Sequence, residues 1–166
     1  FETPRSRGCR IVMMNGGPLA YHSGRHTTND DSTMKSEITE CYHASTEVMF
    51  LRNLMAEIGL YQEEPTLIYQ DNTAAISVAE NRGKLSKAAK ALDIRVYGLR
   101  NRIEDQAVTL KWLDSLSMLA DLGTKLFGVK RFKFLRDMIT GYALARAGGK
   151  KNLPSLCMSL EQLQSL

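Results

Sequence analysis

The chain has 166 residues, the size of a single domain with a sizeable core, and its 43% hydrophobic and 24% charged residues exclude a disordered, collagen-like or disulfide-rich class. Lysine and arginine outnumber aspartate and glutamate by 22 to 18, and the resulting charge of +4 modestly favours a polyanionic partner. Three widely separated cysteines, together with the lack of a membrane-length apolar run or a signal pattern, predict an intracellular chain with no disulfide partner and no membrane partner.

The first part of the chain predicts a β-hairpin followed by a long helix. Residues 9–15 are rich in isoleucine, valine and methionine and end in an Asn-Gly-Gly-Pro turn, and a second short strand follows over 19–23. In residues 35–59, apolar side chains recur every three or four positions, which predicts a helix that ends at a glycine. Glu37 lies four residues before Cys41 on this apolar stripe, so its carboxylate is expected on the inward face.

The rest of the chain alternates predicted strands and helices. The elements are a strand over 66–70, a turn at Asp71-Asn72, a helix over 73–79, a helix over 85–103, a strand over 108–113 and helical spacing over 115–147. This order predicts an α/β fold with one covered sheet, and ligands on such sheets lie at the carboxyl ends of strands, where Asp71 falls. We expect one domain over 1–140 and a helical or frayed tail over 141–166.

Three acidic residues occupy unusual positions in this pattern. Glu37 lies on the apolar stripe of the long helix, Asp71 at a strand end and Asp121 inside an apolar run. A half-buried carboxylate without a partner is costly, and a shared cation would relieve all three. Oxygen ligands from separate elements suit magnesium, and two such ions can activate a water for phosphodiester hydrolysis.

Spacing alone leaves a structural explanation of the same acids open. Glu37 could cap its own helix, Asp71 could cap the helix that follows it, and Asp121 could pair with Lys125 one turn on. Scattered acids are common in folded domains, so periodicity does not decide between a metal site and these local contacts.

Five motifs resemble the ribonuclease H domain of Ty1/copia-type retrotransposon Pol polyproteins. In chain order they are TPRSRGCRIVMMNGGPLAYHS, KSEITECYHASTEVMFLRNLMAEIGL, IYQDNTAAISVAEN, KALDIRVYGLR and LADLGTKLF. They follow the family's order and spacing from about Thr3 to about Met138, and the motif around the Asp-Asn turn matches best. Five motifs in sequence are far more specific than any one of them alone.

The resemblance implies a fold, an activity and a set of site residues. The fold would be ribonuclease H-like, with a mixed β-sheet flanked by helices. The activity would be metal-dependent hydrolysis of the RNA strand of RNA/DNA hybrids, with Glu37, Asp71 and Asp121 as catalytic ligands of two Mg²⁺ ions, or Mn²⁺. The other partner would be the reverse transcriptase region of the same polyprotein, in cytoplasmic virus-like particles or the nucleus. Nucleic-acid binding would fall to Asn72, Thr73, Lys90, Arg95 and Lys125.

The chain departs from the family's pattern at three places. The family's first catalytic aspartate lies on an opening, central strand that would precede Phe1, so we expect two strands to lack their shared neighbour and the isolated chain to be impaired. Ala91 stands where the family often has histidine, and Asp114-Ser115 replaces a Pro-Thr pair. The alternative function is a non-catalytic nucleic-acid-binding or structural remnant. An integrase-type nuclease fits less well, because its acids run aspartate, aspartate, glutamate.

Overall fold

The computed structural model describes residues 7–25, 33–81 and 93–141. The elements are β1 (Arg7–Met14), β2 (Gly17–Arg25), α1 (Thr33–Glu57), β3 (Thr66–Gln70), α2 (Thr73–Glu80), α3 (Asp93–Glu104), β4 (Val108–Trp112), a 3₁₀-helix (Leu119–Gly123) and α4 (Val129–Ile139). Within these ranges, no helix is both long enough and apolar enough to cross a membrane. The predicted start of the third helix, 85–92, and the predicted tail beyond 141 lie outside the described residues.

The predicted hairpin is confirmed. Strands β1 and β2 pair antiparallel, with Cys9 opposite Ser23 and Val12 opposite Ala20. Asn15 and Gly16 both have positive φ, 52° and 77°, and two successive residues of that kind match the twist of a tight hairpin turn. The hairpin therefore starts and ends within about two residues of the predicted bounds.

Helix α1 runs between the two halves of the fold. Its buried residues include Ile38, Cys41 and Val48, and it ends before Gly59, whose φ of 83° is unfavourable for other residues. Arg52, near the end of α1, donates to the carbonyl oxygens of Gln62 and Glu64 and to the hydroxyl of Thr66. These bonds attach the segment leading into β3 to the helix.

Strands β3 and β4 form a parallel pair, in register from Thr66 opposite Val108 to Gln70 opposite Trp112. Both strands alternate buried and half-buried residues in their first half. Helices α1, α2 and α3 cover this pair, and the core between them consists of Cys41, Val48, Ile68, Ala79, Leu99, Val108 and Leu110.

The four strands form two separate two-stranded sheets, β1–β2 and β3–β4. Antiparallel and parallel pairing therefore both occur, as a mixed sheet requires, but the described strands do not form one continuous sheet. The prediction of regular helical spacing from residue 115 onward is wrong in its first part. Residues 119–123 instead form a single 3₁₀ segment, and α4 begins only at Val129.

Candidate functional site

Glu37 projects from the second turn of α1 toward the end of β3. Its Oε2 accepts a hydrogen bond of 3.1 Å from Nε2 of Gln70, so its observed partner belongs to β3 rather than to the first turn of its own helix. Burial raises the pKa of Glu37, the Gln70 bond opposes this, and the nearby charge of Asp71 raises it further. Glu37 is therefore a carboxylate whose charged form a cation would stabilise.

Gln70 organises this end of β3, and sequence reasoning missed it. Its side chain is buried, its Nε2 also donates to Sγ of Cys41 at 3.2 Å, and its Oε1 accepts from the backbone N–H of Asn72 at 3.0 Å. A polar residue at the buried face of a strand, directly before a turn, is the signal that could have identified it.

Asp71 directly follows β3, and its carboxylate does not cap α2. Its Oδ2 accepts a 2.9 Å hydrogen bond from the hydroxyl of Ser115, and its carbonyl oxygen accepts from the indole of Trp112. Asn72 is the residue that caps α2, because its Oδ1 accepts from two backbone N–H groups, those of Ala74 and Ala75. The structural explanation of Asp71 as a helix cap is therefore wrong.

Asp121 lies in the 3₁₀-helix and is 8% exposed. Lys125 Nζ lies 2.8 Å from its Oδ1 and 2.9 Å from its Oδ2, which confirms the pairing that spacing had left open. The 3₁₀-helix packs closely on β1, because a side chain at Gly123 would collide with Cys9, and Ser23 donates to the Gly123 carbonyl oxygen at 2.7 Å. This close contact holds the 3₁₀-helix, and with it Asp121, against the hairpin.

The three carboxylates line one open groove of about 600 Å³ between the two sheets. Its walls include Lys125 beside the three acids, and residues 7–13 of β1 line the same groove. The structure thus brings the three predicted acids to one concavity, from α1, the end of β3 and the 3₁₀-helix.

Within the described part of the chain, no three histidine, cysteine, aspartate or glutamate side chains are close enough to hold a metal ion together. Each carboxylate instead has a protein partner, namely Gln70, Ser115 or Lys125. The donor atoms are of the kind that magnesium prefers, but in this arrangement they do not surround one point. The residues present therefore do not by themselves form a ready metal site.

The predicted nucleic-acid-binding residues are divided among different environments. Lys125 lines the groove beside Asp121, whereas Asn72 caps α2 and Thr73 is exposed in its first turn. Arg95 is half-buried on α3 and does not line the groove, and Lys90 lies outside the described residues.

A basic segment of α4 reaches the Asp71 side of the site. Arg131 donates to the backbone carbonyl of Ser115 at 2.7 Å, and its guanidinium lies 5.0 Å from the ring centre of Phe127. Lys130 and Lys133 on the same helix are exposed. Ser115 therefore connects the carboxylate of Asp71 to a positively charged helix, a link that sequence spacing did not indicate.

The chain is similar to curated Pol polyproteins of plant transposons. It is 22% identical over 129 residues to the retrovirus-related Pol polyprotein from transposon TNT 1-94 of Nicotiana tabacum, covering 78% of this chain and 10% of the relative. It is 24% and 25% identical over 115 residues to those from transposons RE2 and RE1 of Arabidopsis thaliana, covering 69% of this chain and 8% of each relative. Its homologues are thus copia-type Pol polyproteins at low identity, and it spans about a tenth of their length.

No protein-family model matches the chain. No solved structure matches it either.

Proposed function

We propose that this region is a ribonuclease H domain of a transposon Pol polyprotein. Its substrate is an RNA/DNA hybrid, its cofactor is Mg²⁺, and it acts beside the reverse transcriptase region of the same polyprotein. The observation that carries the proposal is the convergence of Glu37, Asp71 and Asp121 on one groove from three separate elements. The similarity to transposon Pol polyproteins supports the same context.

Glu37, Asp71 and Asp121 are the residues that would hold the metal, and they would have to move closer together to do so, because in the described part of the chain they do not surround one point. Bound metal would activate water and stabilise the leaving oxygen. The protein's own contribution is positional. Gln70 and Ser115 hold the carboxylates of Glu37 and Asp71 by hydrogen bonds, and Lys125 donates to the carboxylate of Asp121.

Exposed cations next to the groove provide the contacts for a polyanionic substrate. Lys125 has half of its side chain exposed, and Lys130 and Lys133 follow on α4. Such residues contact phosphates and position the duplex without reading its sequence. Hybrid binding by this surface is expected to weaken steeply as salt concentration rises.

A second function, hybrid binding without cleavage, is favoured by one specific observation. All three carboxylates already have protein partners, and within the described residues they are not close enough to bind one metal ion. A chain that keeps the fold and the basic surface but does not assemble the metal site would bind nucleic acid and leave it intact.

Cleavage of a labelled RNA/DNA hybrid with Mg²⁺ distinguishes the two functions. The test compares this chain, a longer version that includes the preceding segment of the polyprotein, and Asp71→Asn in that longer version. Cleavage by the longer, unsubstituted form alone supports the ribonuclease. Hybrid binding without cleavage by any form supports the binding function and rules out the enzymatic one.

A further inference from the structure

The end of α1 carries an apolar strip that faces solvent, formed by Phe50, Leu54 and Ile58. These side chains recur every four positions and are 65%, 44% and 66% exposed. Ile58 directly follows the helix, and its N–H still donates to the Leu54 carbonyl oxygen, so the helical spacing extends to it. Neighbouring apolar side chains left in water on one helix face indicate a docking surface. None of the three lines the groove between the sheets, so the apolar strip is separate from the candidate site.

The apolar strip borders the contact between α1 and the hairpin. Leu51 and Met55 of α1 line a small apolar cavity, to which the hairpin contributes Leu19 just after its turn. Leu54 and Ile58 follow Leu51 and Met55 by three positions, and side chains three positions apart on a helix are neighbours. The apolar strip therefore lies beside the turn of the hairpin.

The described part of the chain ends at this same corner of the fold. Gly141 follows α4 and lies against the hairpin turn, because a side chain added to it would collide with the carbonyl oxygen of Gly16. Residues 142 onward therefore continue from a point beside the apolar strip. Twelve residues span up to about 40 Å when extended, so residue 153 can reach any part of the strip, whose own length is about 12 Å.

The sequence beyond Gly141 contains an apolar pattern that matches the strip. Leucine recurs at steps of three and four in residues 153–163, here called the leucine segment, at Leu153, Leu156, Leu160 and Leu163. This spacing predicts an amphipathic helix, and Pro154 is compatible with its first turn. Lys150 and Lys151 precede the leucine segment, whereas the exposed Glu57 lies at the end of α1 beside Ile58. The two partners are thus complementary in charge as well as in apolar spacing.

We propose that the apolar strip is the docking surface of the chain's own leucine segment. The segment binds as a helix antiparallel to α1, which places the two lysines near Glu57. Because it is attached to the fold, its local concentration is on the order of millimolar, and a modest apolar contact then suffices for docking. This proposal does not depend on nuclease activity, since the strip does not line the groove.

The experiment is native proteolysis of the intact 166-residue chain by a glutamate-specific protease. Glu161 is the single acidic residue of residues 142–166, so cleavage after it reports on the leucine segment alone. A docked helix resists cleavage, because the protease needs locally opened backbone. Leu54→Lys places a charge in the apolar strip and should release the segment. We expect cleavage after Glu161 to become at least about tenfold faster, as followed by mass spectrometry.

Two matched controls separate docking from general stability. Asn53→Lys adds the same charge at an exposed position of α1 outside the strip and should leave the cleavage rate unchanged. Within the leucine segment, Leu156→Lys should accelerate cleavage as Leu54→Lys does, whereas Ser155→Lys, at a polar position beside it, should not. Circular dichroism checks that Leu54→Lys folds. If it does not, the two variants of the leucine segment decide alone.

Three results would overturn the proposal. They are rapid cleavage after Glu161 in the unsubstituted chain, equal rates in Leu54→Lys and Asn53→Lys, and protection that rises with protein concentration. The third would assign the strip to a second copy of the chain, whereas docking within one chain is independent of concentration over an about hundredfold range. Protection of Glu161 combined with no hybrid cleavage by any longer form would contradict the proposed function alone and leave the docking surface standing.

Discussion

The two sheets of this fold are stabilised in different ways. The parallel half, which consists of β3, α2, α3 and β4, is covered by helices and has a core in which Leu99 and Val96 are completely buried. The hairpin half, which consists of β1, β2, the 3₁₀-helix and α4, has a second strand that is exposed along most of its length. Its core is small, built from Met13, Leu119 and Leu135.

Helix α1 connects the halves, with apolar side chains toward the parallel sheet and both ion pairs and apolar side chains toward the hairpin. Its Cys41 and Val48 pack in the core of the parallel half, whereas Glu40 and Glu47 form ion pairs with Arg10 of β1 at 3.5 and 3.0 Å. Half-buried ion pairs contribute little compared with apolar burial. The comparison teaches that the parallel half carries most of the stability, while the groove for function lies where the weaker half meets it.

Two leucine truncations test this asymmetry most strongly. Leu99→Ala, in the parallel half, should lower the free energy of unfolding by about 4 kcal/mol, because its neighbours are themselves buried and cannot close the cavity. Leu135→Ala, in the hairpin half, should cost about 2 kcal/mol, because many of its neighbours are half-buried and can shift. Urea denaturation measures both. Equal losses would show that the two halves are equally well packed.

Arg52→Ala tests how the parallel half is attached to α1. Arg52 donates to two backbone carbonyls and to the Thr66 hydroxyl, so its removal leaves those acceptors without a charged donor and should cost about 1.5–3 kcal/mol. Arg52→Lys keeps the charge but cannot reproduce the forked geometry. We therefore expect lysine to recover less than half of the loss. Full recovery by lysine would mean that charge alone matters.

The parallel half was also the more predictable from sequence. The strand over 66–70 was predicted at its observed bounds, because a β-branched run between a proline and an Asp-Asn turn allows few alternatives. The separation of the sheets and the side-chain partners of the acids were not predictable in this way. The hydrogen bonds of Glu37 to Gln70 and of Asp71 to Ser115 join residues 33 and 44 positions apart, which no local pattern encodes. Only the Asp121–Lys125 pair could be predicted from spacing, because its two residues are four positions apart in the sequence.

Each half contains one of the two described cysteines, so the reactivities of the two thiols can be compared. Burial raises the pKa of Cys41, beneath β3, to about 12, and the thiol is 4% exposed. The pKa of Cys9 on β1 is also raised, by burial and then by Glu40, but this thiol is half-buried beside the groove. Because the thiolate is the reactive form, raised pKa values slow both, and access favours Cys9.

We expect iodoacetamide at pH 8 to modify Cys9 at least about tenfold faster than Cys41, as followed by mass spectrometry of the digested chain. Reaction at Cys9 should accelerate as pH rises, because more thiolate forms. Cys41 should react only when the parallel half opens, so mild urea should accelerate its modification. Equal rates without denaturant would contradict the assignment of the parallel half as the more stable one.

Asn72→Ala is expected to have the smallest effect on stability. Asn72 begins helix α2 of the parallel half and directly follows Asp71 of the candidate site. The Asn72 side chain caps α2 through two backbone N–H groups, so alanine should lower the free energy of unfolding by about 1 kcal/mol. Asn72→Asp keeps an acceptor at the cap and should restore thermal stability.

The aspartate also adds a negative charge beside Asp71, so in the proposed function it should weaken hybrid binding, measured by fluorescence anisotropy. If hybrid binding follows stability in both variants, Asn72 acts only as a cap. Loss of binding in Asn72→Asp despite restored stability would place position 72 at the nucleic-acid surface as well.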